Sequence, residues 1–189
     1  MRFEKRWSEA GPHNLKAIEL EPRTSTTYLW YSEQLSATGR KEAALETALK
    51  TLELDPFHAG SNAMATYAYA MNDHSEQAIK HAESAWELGH PNAIYMLIQS
   101  RIDEGNLAEA SRLVEENASA MGDEAASGIN AFIAALRDPA KVDEYLRFVK
   151  GIPEIPPIWP ALDEVRFGRI DGAMEDLLEA NIDGSEWME

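Results

Sequence analysis

The chain has 189 residues, no cysteine, and 33 acidic against 17 basic side chains, for a formal net charge of −16. Zero cysteine excludes a disulfide framework, a thiolate zinc site, an iron–sulfur cluster and a cysteine nucleophile. The acidic excess argues against nucleic acid and anionic membrane surfaces, which call for clustered Lys and Arg, while a 44% hydrophobic fraction is ordinary for a folded chain.

In chain order, residues 1–6 are charged, and no apolar leader segment follows before Pro12. The uncharged run 59–72 is too short to cross a bilayer. The expectation is a soluble, cytoplasmic protein. Residues 7–22 then read as one helix and its stop, without a partner helix ahead of it. Residues 27–37 place Tyr28, Tyr31 and Leu35 on one helical face, and residues 42–54 do the same with Ala44, Leu45, Ala48, Leu49 and Leu52. Gly39 between them suits a helix end at positive φ, and Asp55-Pro56 stops the second helix. Residues 59–90 form a second such pair, with Asp73 where a turn glycine is expected. Ile79, Ala82, Ala85 and Trp86 line its second helix.

A third pair covers residues 91–116 and turns at Glu104-Gly105-Asn106. Ile94, Leu97 and Ile98 lie on its first helix, and Leu107, Ala110, Leu113 and Val114 on its second. Residues 120–150 form a less regular fourth, with Asp138-Pro139 as its turn and Val142, Tyr145, Leu146 and Val149 along its second helix. A proline-rich break at residues 151–160 is expected to be a bent extended segment. Residues 158–180 form a fifth pair through Phe167-Gly168-Arg169 and Ala173. The tail, residues 181–189, is polar apart from Ile182, Trp187 and Met188. No stretch alternates with period two, so no sheet is expected.

These pairs keep a register. Ala10, Ala44, Ala78, Ala110 and Ala173 are separated by 34, 34, 32 and 63 residues. Gly39, Gly105 and Gly168 each precede one of those alanines by five. Pro22, Pro56 and Pro91 follow the same spacing. A small residue early in the second helix allows two helices to approach closely. Three residue classes in phase identify a repeat protein, with 1–189 as one domain, regular to residue 119 and degenerate from residue 120.

The series Tyr28-x2-Tyr31-x3-Leu35-x3-Gly39-x4-Ala44-x3-Ala48-x7-Pro56 resembles the 34-residue tetratricopeptide (TPR) pattern. The resemblance implies an all-α, right-handed α-solenoid of stacked helix-turn-helix hairpins, about five repeats with a partial first one. Stability would then come from nearest-neighbour stacking and function from the curved surface. Residues 16–22 and 31–39, with Ala134-Ala-Leu-Arg-Asp-Pro139, also look like the TPR regions that follow effector domains in bacterial winged-helix and cyclase-like signalling regulators. That likeness implies a sensor or oligomerisation module whose effector domain is absent. The partial first repeat would leave an apolar face for self-association into a homo-oligomer.

Chemistry-bearing motifs are scarce. His13, His58, His74, His81 and His90 form no metal-ligand spacing, and no phosphate loop or nucleophile elbow occurs. The adjacent acids Glu115-Glu116, Asp123-Glu124 and Asp163-Glu164 read as solvated helix faces among so many carboxylates. An enzyme is not expected, nor a cofactor. Tyr28, Tyr31, Tyr69 and Trp86 fit hairpin packing.

The TPR resemblance places Thr26, Leu29, Trp30, Glu33 and Ser36 on an inner concave wall. Ala63, Met64, Tyr67 and Met71 follow there in the second repeat, and Asn92, Tyr95, Met96 and Gln99 in the third. A wall rich in aromatics and methionine suits a peptide or helix of a protein partner. The expected partner-binding set is Leu29, Trp30, Glu33, Met64, Tyr67, Met71, Asn92, Tyr95, Met96 and Gln99. The basic clamp of TPR co-chaperones, which grips an acidic chaperone tail, is not reproduced. Leu29, Glu33, Met64 and Met96 have the wrong chemistry at its matching positions, and only Asn92 suits.

Overall fold

The computed structural model describes residues 7–152, 155 and 158–182. The expectations for residues 1–6, for residues 153, 154, 156 and 157 of the proline-rich break and for Trp187 and Met188 lie outside them. The extended segment expected over residues 151–160 is cut short, because Ile158, Trp159 and Pro160 already form the first turn of a helix, where proline's fixed φ and missing amide are tolerated. Every regular element among the described residues is helical, and successive helices pair. The order is α1 (Trp7–Leu20), α2 (Ser25–Ala37), α3 (Lys41–Leu54), α4 (Ala59–Met71), α5 (Ser75–Glu87), α6 (Ala93–Asp103), α7 (Leu107–Met121), α8 (Asp123–Arg137), α9 (Val142–Lys150), α10 (Ile158–Arg166) and α11 (Ile170–Ile182). A 3₁₀ turn, Pro139–Lys141, links α8 to α9. It is started by Asp138, whose carboxylate accepts from the Ala140 amide at 3.0 Å.

One turn geometry recurs. At the α2–α3 turn the Arg40 amide donates to the Leu35 carbonyl at 2.9 Å, and the Gly39 amide donates to Ser36 at 3.0 Å. Gly39 between them has φ 72°. This is a helix-ending loop in which a left-handed residue lets two amides cap otherwise unpaired carbonyls. The same long bond joins His74 to Tyr69 (3.0 Å), His90 to Ala85 (2.9 Å), Asn106 to Arg101 (2.9 Å) and Arg169 to Glu164 (2.8 Å). At the α4–α5 turn the left-handed position belongs to Asp73, with φ 60°, in the place where the register expects glycine.

The chain divides into two compact units, Met1–Leu113 and Val114–Glu189. The sequence pattern suggests one continuous array that loses regularity at residue 120, whereas the division falls inside α7. In the first unit, α2 pairs with α3 and α4 with α5. Each following hairpin docks through α3 on α4 and α5 on α6, while α1 covers α2. The first helices also meet directly, α2 with α4 and α4 with α6.

Alanine makes these approaches possible. Ala44, Ala48, Ala78, Ala82 and Ala110 are all at 0–1% exposure, as is Ala173 in the second unit. Ala10, in the same register on α1, is only half-buried. Beside Ala44, the fully buried Ser32 donates through Oγ to the Ala44 carbonyl at 2.8 Å, which fastens α2 to α3. A cluster of Ala48, Met64 and Ala68, with Leu29 and Leu45 packed on it, joins α2, α3 and α4.

In the second unit α8 pairs with α9, α9 meets α10, and α10 pairs with α11. Its core is aromatic. Phe132, Tyr145 and Phe167 stand with ring centroids 5.2, 5.8 and 6.0 Å apart, and the Arg166 guanidinium lies 5.5 Å from the Phe132 ring centre. Edge-on and tilted contacts of this kind satisfy the ring quadrupoles.

Candidate functional site

The residues expected to form a partner-binding wall lie on α2, α4 and α6, the three helices that touch in sequence along the first unit. Asn92 alone stands just outside, as the residue preceding α6. Trp30 on α2 and Tyr67 on α4 are more than half exposed, and Tyr95 on α6 is about one-third exposed. Gln99 is exposed, with Nε2 donating to Asp103 at 2.8 Å one turn on; Asn92 is exposed as well. Leu29, Glu33 and Met71 are half-buried.

Met64 and Met96 differ from the expectation. They are 8% and 5% exposed. Met64 packs with Ala48, Ala68 and Leu29, so it and Leu29 are brought together inside the α2–α3–α4 core. Both methionines therefore contribute core volume rather than surface, because the helical period gives a residue's face but not which neighbour covers it. Trp86, expected in packing, is 39% exposed, while Tyr28, Tyr31 and Tyr69 are half-buried as packing residues should be.

Polar contacts behind the wall fix the helices in place. Asn62 Nδ2 donates to the Pro56 carbonyl at 3.0 Å and to the His58 carbonyl at 3.2 Å, while its Oδ1 lies 3.0 Å from His81 Nδ1. The His81 ring stacks on Tyr69 with centroids 5.4 Å apart. Burial, aided by the nearby Lys80 charge, lowers the His81 pKa and so favours the neutral ring. Asn72 ties the end of α4 to the start of α3 by donating to the Lys41 carbonyl at 2.9 Å. Sequence reasoning missed this scaffold, since Asn62 and Asn72 belong to no spacing that signals chemistry.

The acidic pair Asp163-Glu164 is also corrected by the structure. Its side chains were expected on a solvated face. Instead the Tyr145 hydroxyl donates to Asp163, and Glu164 is 5% exposed with Lys150 Nζ at 2.8 Å. The neighbours responsible come from α9, which a reading of α10 alone does not include. Among the described residues, no group of three His, Asp or Glu side chains could hold a metal ion, and no helix is long and apolar enough to cross a membrane.

No protein-family model matches the sequence, and no curated protein matches it either. Solved structures do. YrrB, described as a TPR protein with an unusual peptide-binding site, is 21% identical over 88% of this chain and 90% of its own, with a TM-score of 0.56. TTC0263, a thermophilic TPR protein of Thermus thermophilus, is 15% identical, covers 89% and 91%, and reaches 0.65. The fold is that of the TPR proteins. The Cut9–Hcn1 hetero-tetramer of the APC/C gives 0.68 at 14% identity, where the match spans 94% of this chain and 36% of the other. These similarities support the TPR fold and lend nothing to the resemblance to signalling regulators. On the TPR plan, α2, α4 and α6 are the first helices of successive hairpins, and Trp30, Tyr67 and Tyr95 are their exposed aromatic side chains.

Proposed function

We infer that the protein is a non-catalytic interaction scaffold. The α2–α4–α6 wall takes a peptide or a helix of a protein partner, using Trp30, Tyr67 and Tyr95 as anchors and Gln99 and Asn92 as polar contacts. The observation that carries this reading is the presence of large exposed aromatics on three successive, mutually touching first helices. Exposed Trp and Tyr are the side chains that most often dominate binding energy at such surfaces. The TPR fold of the similar structures, one of them described with a peptide-binding site, supports it. Met64 and Met96 leave the contact set and remain as the packing beneath it. The net charge of −16 fits a partner carrying Lys or Arg at its rim, and disfavours nucleic acid and membrane. Self-association belongs to the same reading, through α1, where Leu15 and Leu20 are 49% and 71% exposed. The cytoplasm remains the proposed location.

Affinity capture with the intact chain and with a Trp30→Ala/Tyr67→Ala/Tyr95→Ala variant tests the wall. The variant is expected to lose the partners that the unaltered protein retains. Identical partner sets, with both proteins equally folded, would reject the wall as the binding surface.

A further inference from the structure

The second unit holds a cleft of about 500 Å³ between α9, α10 and the α10–α11 turn, lined by Asp143, Leu146, Arg147, Lys150, Glu164 and Arg169. That volume lies in the ordinary range for small-molecule sites. Four of these residues, Asp143, Leu146, Arg147 and Lys150, recur at helical spacing on one side of α9. The cleft shares no residue with the α2–α4–α6 wall, and nothing in the binding reading above uses it.

Its charges are sorted. At one end Glu164 is 5% exposed, and Lys150 Nζ bonds its Oε1 at 2.8 Å and the Asp176 carboxylate at 2.7 Å. Glu164 Oε2 is buried and has no hydrogen-bond partner. An ionised oxygen shut away from water without a donor is costly, and such groups in folded proteins call for an explanation. Gly172 maintains the arrangement, since a Cβ there would stand 3.0 Å from Oε2. Elsewhere on the lining Arg169 is paired with Asp143. Arg147 differs from both cations. Its Nε donates to the Asp143 backbone carbonyl at 3.2 Å, and its guanidinium forms no ion pair with the described residues. Two carboxylates on Lys150 leave one negative charge in excess beside Glu164, and Arg147, with no carboxylate partner among the described residues, adds one positive charge to the lining.

We propose that this cleft binds a small zwitterion, with the ligand's ammonium group on the Glu164 carboxylate and its carboxylate on the Arg147 guanidinium. Oε2 is buried beside Gly172 in the unliganded arrangement, and release of Oε1 by Lys150 is the step that frees the carboxylate to turn into the cleft. Lys150 is held by Asp176 as well, so its flexible stem can release Glu164 without leaving its own charge unpaired. The incoming ammonium then supplies the donor that Oε2 lacks. Charge-assisted hydrogen bonds at each end are the stronger kind, and Arg147 offers a planar fork suited to a carboxylate.

Glycylglycine is the probe, with N-acetylglycylglycine lacking the ammonium and glycylglycine amide lacking the carboxylate. Amide chemical shifts of the isotope-labelled full chain are followed during titration. Glycylglycine is expected to move resonances of residues 143–172, with each blocked peptide binding about tenfold more weakly, equivalent to one lost charged contact. Glu164→Gln should abolish the preference over the acetylated peptide. Arg147→Met, an exposed change that leaves the core intact, should abolish the preference over the amide. The proposal is overturned if glycylglycine causes no shift at millimolar concentration, if all three peptides bind alike, or if a folded Arg147→Met chain discriminates as the unaltered one does.

Discussion

The Tyr145 hydroxyl donates to Asp163 across the contact between α9 and α10, inside the aromatic cluster of the second unit. Burial pushes the Tyr145 pKa far above its usual value, with the bond to Asp163 adding to it. Burial also raises Asp163, against the bond from Tyr145 that favours its ionised form. Tyr145→Phe keeps the ring and removes the donor, leaving a half-buried carboxylate short of a partner. A loss of about 1–3 kcal/mol is expected, read by urea denaturation at neutral pH. The sign with pH follows from Asp163. A raised folded pKa means that ionisation opposes folding, and protonation on acidification relieves that opposition. The gap between variant and parent should therefore narrow as pH falls toward 3.8, the ordinary Asp value. A gap that stays constant from neutral pH down to that point would show that the pair carries no such coupling.

Asp73 and Gly39 occupy the same turn position, and they make a matched test of the left-handed backbone. A side chain at positive φ costs energy that glycine avoids, with Asp among the residues that tolerate it best. Gly39→Ala is expected to destabilise by about 1–2 kcal/mol. Open space surrounds the Cβ position there, so no clash contributes and the effect is backbone strain alone. Asp73→Gly should be neutral or stabilising by up to about 1 kcal/mol. Thermal melts of both variants decide it. A Gly39→Ala chain melting with its parent would remove the left-handed turn as the determinant of the register.

The two turns also mark what is legible in the bare chain and what is not. The register was legible because each repeat must solve the same local problem, an end for one helix and a close approach for the next. Gly39, Gly105, Ala44 and Ala78 are solutions visible within a few residues. Asp73 was placed as a turn residue by register alone, and its φ of 60° agrees. What a side chain meets outside its own hairpin was not legible. Met64 reads equally as groove lining or as core, and only the docking of α4 against α2 and α3 decides. Glu164 looks like one more surface acid until Lys150, 14 residues earlier, closes over it. Long-range pairs of that kind leave no period in the sequence.

His81 provides the pH prediction in the first unit. Its pKa lies below the ordinary histidine value of 6.5, chiefly because burial disfavours the charged ring. The unfolded chain therefore takes up a proton at this position before the folded chain does. Stability from this group is complete above 6.5 and declines as pH falls from there toward the lower folded value. The groups packed on the ring are Tyr69 and Asn62 from α4, and Lys80 precedes it on α5. His81→Gln should flatten the decline in stability between neutral pH and about pH 5 relative to the parent. A ring-proton NMR titration of His81 is expected to give a midpoint below 6.5. A midpoint above that value would mean that the stacked ring accepts charge readily, contrary to its burial.

Met64 and Trp30 separate folding from binding. Met64 is in the core with Ala48, Ala68 and Leu29, while Trp30 is 56% exposed on α2. Met64→Ala removes packed volume from a site closed on several sides. It should destabilise the chain by about 2–5 kcal/mol, the usual range for truncating a buried methionine. Trp30→Ala removes a side chain that is more than half exposed, so its stability should stay within about 0.5 kcal/mol of the parent. Its loss should be seen in partner capture instead, because an exposed tryptophan is ordered at low entropic cost and offers a large contact area. Urea denaturation and capture on the same two proteins give four readings. Trp30→Ala with parental stability and weakened capture, beside a destabilised Met64→Ala, supports the division of roles. If Trp30→Ala unfolds early, or captures every partner the parent does, its aromatic ring belongs to the fold and the proposed wall loses its first anchor.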